Sequence, residues 1–212
     1  MEDGRSVIIV PDALSIDYRP MEAADVGVMP SAHQGEDDEV RRRIAHLGSS
    51  AWLALDGARH IGQLQFRQFE AGIRSPNGVG DPLWWLDFGE HAPALDSSTL
   101  AVCCCHVGQV DNTAHRDERY IGRGIGSALL DHFLGWARDR RFAAVIAKAT
   151  ADRRAVMEFL GGFPVGVYQA RGFTITAQWV DHDLERALRQ RGLAADSDRD
   201  CSTVACCVLP LR

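Results

Sequence analysis

The 212-residue sequence predicts an α+β fold, a mixed, twisted sheet of about seven strands flanked by helices. Three observations carry this reading. Strand-like runs dominate the first half and then give way to a strand, loop, helix, strand, helix, strand order, which allows one parallel crossover rather than a repeating doubly wound sheet. An amphipathic stretch from Ile125 to Ala137 lies between two apolar runs of strand length, residues 99–110 and 142–150. Hydrophobic residues make up 46% of the chain, enough at this length for one sizeable domain with its own core.

Residues 14–21, LSIDYRPM, alternate as a first strand, and residues 1–13 are read as an N-terminal extension of a single domain spanning 1–212. Residues 37–48 are helical, because Val40, Ile44 and Leu47 share one face and Gly48 supplies the stop. Residues 51–69 form a hairpin of two strands about the Asp56-Gly57 turn. Residues 70–98 are rich in turn formers yet hold Trp84 and Trp85, which fill the core, line an acceptor pocket or join two copies in a homodimer. TLAVCCCHVGQV, residues 99–110, is a strand buried on both faces. Ile125, Ala128, Leu129, Phe133, Trp136 and Ala137 make a helical apolar stripe that only His132 interrupts. Residues 142–150 then form a short buried strand, 152–162 a helix, 164–173 a further helical turn ending at Gly172, 173–180 a strand, 183–192 a short helix and 202–211 a closing strand.

The balance of 29 acidic against 23 basic residues gives a net charge of -6 with no basic face, which argues against nucleic acid as the partner. An acidic body suits a cationic or neutral substrate better than an anionic one. The N-terminus carries acidic residues where an export signal carries positive ones, and no stretch reaches the roughly 18 apolar residues of a membrane span. A cytoplasmic protein with no membrane partner is expected. The cysteines fall in two clusters, Cys103, Cys104 and Cys105, then Cys201, Cys206 and Cys207. Adjacent cysteines on a strand point to opposite faces, so they read as small buried hydrophobes, with a redox or disulfide pair and a metal site as the alternatives.

The chemistry concentrates in YIGRGIGSALL, residues 120–130. Each glycine at a helix start costs about 1 kcal/mol relative to alanine. Gly122, Gly124 and Gly126 are therefore explained by something that approaches the backbone closely. The first-turn N–H groups have no internal partners and carry the positive end of the peptide dipole, so a phosphate is the natural guest. A dinucleotide fold places its glycines after the first strand with an acidic residue about 20 positions on, whereas several strands precede them here. A Walker loop needs a lysine before Ser127, and Gly126 stands there.

With Gly-x-Gly at Gly124 and Gly126 in register with Tyr-x-x-x-Gly-Phe at Tyr168, Gly172 and Phe173, the chain resembles the GNAT N-acetyltransferases. The resemblance implies a GNAT-like acyl-CoA N-acyltransferase fold, splayed after its fourth strand, with acetyl-CoA as co-substrate and no metal. It implies acetyl transfer to an amine of a small molecule or peptide by direct attack on the thioester. The alternative is a catalytically silent acyl-CoA-binding sensor or assembly module. The pyrophosphate loop would comprise Ile121, Gly122, Arg123, Gly124, Ile125, Gly126 and Ser127, with Ile121 in place of the family's Gln or Arg. Val110 would face the coenzyme at the end of the fourth strand, and a backbone N–H near Gly108 to Val110 would stabilise the oxyanion. Tyr168 would protonate the departing thiolate; Gly161 replaces the family's usual Asn, and Pro164 and Gly166 interrupt its helix. His106, on the fourth strand, is the candidate base for the acceptor ammonium, since a free imidazole titrates near about 6.5. Asp111, His115 and Glu118 in the following loop are its competitors. Arg153 and Arg154 reach the phosphates or form a solvated face. Acceptor contacts are expected from segments 22–48, 70–98 and 181–200.

Overall fold

In a computed structural model of the chain, seven strands share one sheet: β1 (Ile16–Pro20), β2 (Ala51–Asp56), β3 (Arg59–Gln68), β4 (Thr99–Val107), β5 (Ala144–Ala149), β6 (Thr174–Val180) and β7 (Thr203–Pro210). Their order is β1-β2-β3-β4-β5-β7-β6. The structure describes residues 15–31, 34–113, 115–194 and 199–212, so the expected extension at 1–13 lies outside the described residues. β4 and β5 pair in parallel, and every other neighbouring pair is antiparallel. This is the single parallel crossover that the element order predicts.

Helix α2 (Ile125–Asp139) makes that crossover and lies on one face, where Leu129, Phe133 and Ala137 are completely buried. The polar interruption in its stripe is accommodated by stacking: the His132 ring lies 4.8 Å from that of Tyr18 and 5.5 Å from that of Trp52. Helix α1 (Asp37–Leu47) packs Val40 on Leu53 of the opposite face, and Gly48 ends it at φ +92° with its N–H on the Ile44 carbonyl. The Asp56-Gly57 turn closes the β2–β3 hairpin as the sequence predicts.

Helices α3 (Arg154–Leu160) and α5 (His182–Gln190) and the 70–98 segment cover the rest of that opposite face. The segment has only short 3₁₀ turns, yet Trp84, Trp85, Leu86 and Phe88 are buried in the core. Both tryptophans thus fill the core, and Trp85 also lines a cleft of about 750 Å³ beside α5. Neither is available for a contact between copies. What fixes the segment is Lys148 on β5, 1% exposed. Its Nζ donates to the Trp84 carbonyl at 2.6 Å and lies 4.1 Å from the centre of the Trp84 ring. The nearest carboxylate is Asp181, 3.9 Å away and also accepting from Trp84 Nε1 at 2.9 Å. Burial pulls the Lys148 pKa down to about 8.

The fourth strand departs from its expected form in two ways. It ends at Val107 and not at residue 110, because Gly108 turns the chain at φ +76°. It also carries a bulge: Leu64 pairs with Cys105 and Phe66 with Val102, so β4 spends one extra residue. Strict alternation therefore fails, and Cys103 and Cys104 pack into the same cluster rather than onto opposite faces. Among the described residues, none of the six cysteines is in a disulfide. Among the described residues, no helix is long and apolar enough to cross a membrane.

Candidate functional site

The parallel seam between β4 and β5 is short, running from Thr99 opposite Ala144 to Val102 opposite Ala147, after which the strands part. A cleft of about 1380 Å³ opens at the mouth of this split, walled by the end of β4, the glycine loop and α3. The loop's conformation explains its composition. Gly122 and Gly124 sit at φ +73° and +76°, and a side chain on either would meet nothing within 4 Å, so the loop faces open space. Gly124 is the N-cap of α2, and the first intrahelical bond runs from the Ala128 N–H to its carbonyl. The amides of Ile125, Gly126 and Ser127 precede that ladder and have no acceptor within the helix. Ile125 itself anchors the turn by burying its side chain in the core. A helix start with no side-chain cap, bordered by glycines that leave the backbone bare, fits a pyrophosphate.

Of the other predicted loop residues, Ile121 and Gly122 line the cleft with Gly126, while Arg123 is exposed and Ser127 half-buried. Val110 does not line it. The turn at Gly108 carries it away from the strand line, and Val107 takes the expected place on the cleft wall. The Gly108 N–H is equally unsuited to an oxyanion, since it donates to the Ile61 carbonyl at 2.7 Å.

The interior of the split is occupied by the chain's own backbone. Cys105 N–H donates to the Gly161 carbonyl at 2.6 Å and Thr150 N–H to the Phe163 carbonyl at 3.1 Å, so residues 161–163 bridge the two parted strands. The sequence reason is the interruption of the helix. Gly161 ends α3 at φ +70°, and Pro164 then caps a separate short helix, α4 (Val165–Gln169). The Phe163 ring comes within 3.2 Å of where a Gly126 β-carbon would lie. It meets the Tyr168 ring edge-on at 5.8 Å.

Tyr168 is thereby buried, 1% exposed, between Phe163 and Phe173. Burial, with the neighbouring Cys207 and Cys105 thiols, pushes its phenol well above the usual range, so it keeps its proton. His106 lines the cleft, its ring against Gly161. Of its competitors, His115 and Glu118 line the cleft, whereas Asp111 accepts from the N–H of Thr113 at 2.8 Å and from its hydroxyl at 2.5 Å in a local turn. Arg154 and Arg116 are cations of the cleft wall. The first pairs with Glu158 at 2.6 Å, and the second donates to the Thr113 and His115 carbonyls at 3.0 Å. Arg116 carried no signal in the sequence, being one basic residue in a polar loop.

The family profile described as "Acetyltransferase (GNAT) family" matches residues 20–173. The chain belongs to the GNAT acetyltransferase family. No curated protein sequence matches it. Among solved structures, the GNAT chain is similar to yncA, a putative acetyltransferase from Salmonella typhimurium with its cofactor acetyl-CoA. That match has a TM-score of 0.53 and 14% identity over 93% of this chain and 94% of that one. An N-acetyltransferase from Staphylococcus aureus Mu50 gives a TM-score of 0.51 at 13% identity over 93% and 99% of the two chains. The GphF GNAT-like decarboxylase in complex with isobutyryl-CoA gives 0.51 at 14% over 92% and 100%. At such identities the likeness is one of fold, and the seven-stranded mixed sheet with flanking helices is the GNAT acyl-CoA N-acyltransferase fold.

Proposed function

We propose that this GNAT protein is an acetyl-CoA-dependent N-acetyltransferase acting on an amine of a small molecule or peptide. One observation carries the reading: the bare first turn of α2, with Gly122 and Gly124 facing open space, borders a cleft large enough for an elongated ligand. Ile121, Gly122, Gly124 and Gly126 would hold the pyrophosphate through the backbone, with Arg116 and Arg154 as the cations nearest the phosphates. Acetyl-CoA, when bound, supplies an activated acyl group. The chain's own part is to move protons at the two ends of the exchange. His106, on the cleft wall, takes the proton of the acceptor ammonium, since only a free amine attacks a thioester. Tyr168, kept protonated by burial, gives one to the departing sulfur.

A titration that compares acetyl-CoA with acetyl-pantetheine tests the phosphate cradle, because a ligand that binds only the folded chain raises its melting temperature. Acetyl-CoA is expected to stabilise the protein strongly and acetyl-pantetheine weakly; equal shifts would remove the glycine loop from the site. Thiol release against a panel of amines then tests transfer.

A second reading, an acyl-CoA sensor or assembly module that transfers nothing, draws on a specific observation. The Cys105 N–H is already paired with Gly161, and Tyr168 lies beneath Phe163. Tight binding of acetyl-CoA with no thiol release on any amine would select it. The fold itself does not choose between chemistries.

A further inference from the structure

On the face opposite α2, where the strands begin to part, two guanidinium groups converge with little to neutralise them. Arg43 projects from α1 and Arg67 from β3, and the Nη2 atoms of both donate to one acceptor, the Gln34 carbonyl, Arg67 at 3.2 Å. That carbonyl is itself buried, because the Gln34 side chain is fixed between Gln63 and Ser50 by hydrogen bonds of 2.8 Å each. The Arg43 side chain is 15% exposed, and among the described residues the one carboxylate within ion-pair reach is Glu39, 3.9 Å away and 48% exposed. Among the described residues, Arg67 has no carboxylate partner at all. Among those same residues, Arg43 Nε and Nη1 are buried and meet no hydrogen-bond acceptor.

Two like charges in mutual contact with a neutral carbonyl, and donors left over, are costly in a folded protein, and such arrangements persist where they serve a ligand. The charges are also well placed. Each acts on the Cys103 thiol, whose pKa burial raises to about 11, so the thiol stays neutral and is no counter-ion. Cys103 begins the β4 bulge, one residue past Val102, the last rung of the β4–β5 seam, and two residues before Cys105 on the cleft wall. Arg67 itself pairs on β3 with Ala101 of β4, one residue before that last rung, which sets it beside the point where β4 and β5 part.

We propose that Arg43 and Arg67 form an anion-binding subsite for the acceptor, so that the substrate is a small amine carrying a carboxylate or phosphate. This rests on the acetyltransferase reading for the word acceptor, and it reverses the expectation, drawn from net charge alone, of a cationic or neutral substrate. A planar guanidinium fork grips such an oxyanion bidentately, and two of them fix its orientation. The anion would replace the Gln34 carbonyl as their shared acceptor and leave the amine facing the split.

The test compares matched amines by calorimetric titration in the presence of CoA and, separately, by acetyl transfer. Glycine, β-alanine and γ-aminobutyrate are set against their amides, and phosphoethanolamine against ethanolamine. At least one anionic amine is expected to bind tenfold or more tightly than its neutral counterpart, with the carboxylate and phosphate arms showing which oxyanion is used. Arg67→Gln should weaken that anion by roughly 10- to 100-fold, the usual effect of losing a charged hydrogen bond, while the neutral counterpart and acetyl-CoA are unaffected. Arg67→Lys keeps the charge and should lose less. Arg43→Gln is read in the same way if it folds, and Arg67→Gln decides alone if it does not. Equal binding of acid and amide to the wild-type chain would overturn the subsite, as would an equal loss of both in Arg67→Gln. A chain that prefers the anion yet transfers no acetyl group keeps the subsite and loses the acetyltransferase reading; the reverse result keeps the enzyme and loses the subsite.

Discussion

Gly161 offers its carbonyl to the Cys105 N–H at 2.6 Å while its own α-carbon faces the same strand so closely that a β-carbon would lie 2.9 Å from the Cys105 carbonyl oxygen. The backbone angle there, φ +70°, adds a second reason for glycine. Gly161→Ala should therefore destabilise the fold by about 1–3 kcal/mol, through strain and through loss of the bridge across the split. Urea unfolding of the variant measures it, and a midpoint equal to wild type would mean that the bridge contributes nothing.

The two glycines of the pyrophosphate signature should respond differently. Gly124 holds φ +76° with open space around it, so Gly124→Ala should lower stability by about 1 kcal/mol from backbone strain. Gly126 has no such angle, and its β-carbon would press on the Phe163 ring at 3.2 Å and come 3.6 Å from the Cys105 sulfur, both on the cleft wall. Gly126→Val should chiefly weaken acetyl-CoA binding. Calorimetry paired with thermal melting separates the effects, and unchanged affinity in a folded Gly126→Val protein would leave helix packing as the glycine's purpose.

For Tyr168 the expected signature is kinetic. Tyr168→Phe keeps the ring between Phe163 and Phe173 and removes only the proton, so melting temperature and acetyl-CoA affinity should stay close to wild type. Turnover should fall by about 10²-fold, in kcat and kcat/KM alike, because a thiolate already leaves fairly well without general acid help. Wild-type turnover with chemistry shown to be rate-limiting would make Tyr168 a packing residue.

Lys148 predicts a pH dependence of stability. Its folded pKa of about 8 lies below the ordinary lysine value of 10.5, even though Asp181, Asp87, Cys206 and Asp183 all act to raise it. Between those two pH values the unfolded chain holds a proton that the folded chain has released, so this group's contribution to stability rises with pH, by up to about 3 kcal/mol. Buried Cys103, Cys105 and Cys207, with pKa values raised to about 11, 12 and 12, work in the opposite direction at the alkaline end. The clean measurement is the difference between wild type and Lys148→Met from pH 7.5 to 10. Parallel curves would show that the buried ammonium is not titrating there.

Local patterns carried the fold a long way. The Asp56-Gly57 turn, the α2 stripe and the Gly48 stop are each decided by residues within one or two turns of each other, and the structure forms them where the pattern says. The glycine loop is legible for the same reason. What the sequence does not display is set by distant partners. Lys148 reads as one polar residue in an apolar strand until Trp84, 64 positions away, supplies its acceptor. Arg43 and Arg67 are ordinary charges on a helix and a strand until both reach Gln34. Val110 was misplaced because the length of an apolar run does not reveal a turn at Gly108. The alternation rule failed at Cys103 and Cys104 because a bulge is a property of two paired strands, and one strand's residues cannot declare it.

The brevity of the β4–β5 seam has a mechanical consequence. Four ladder pairs join two antiparallel plates, β1 to β4 on one side and β5 to β7 on the other, whose own ladders run to five or six pairs each. Bending concentrates where rungs are fewest. A guest that widens the split can thus act as a wedge against a narrow hinge, flexing the joint while both plates keep their hydrogen bonds.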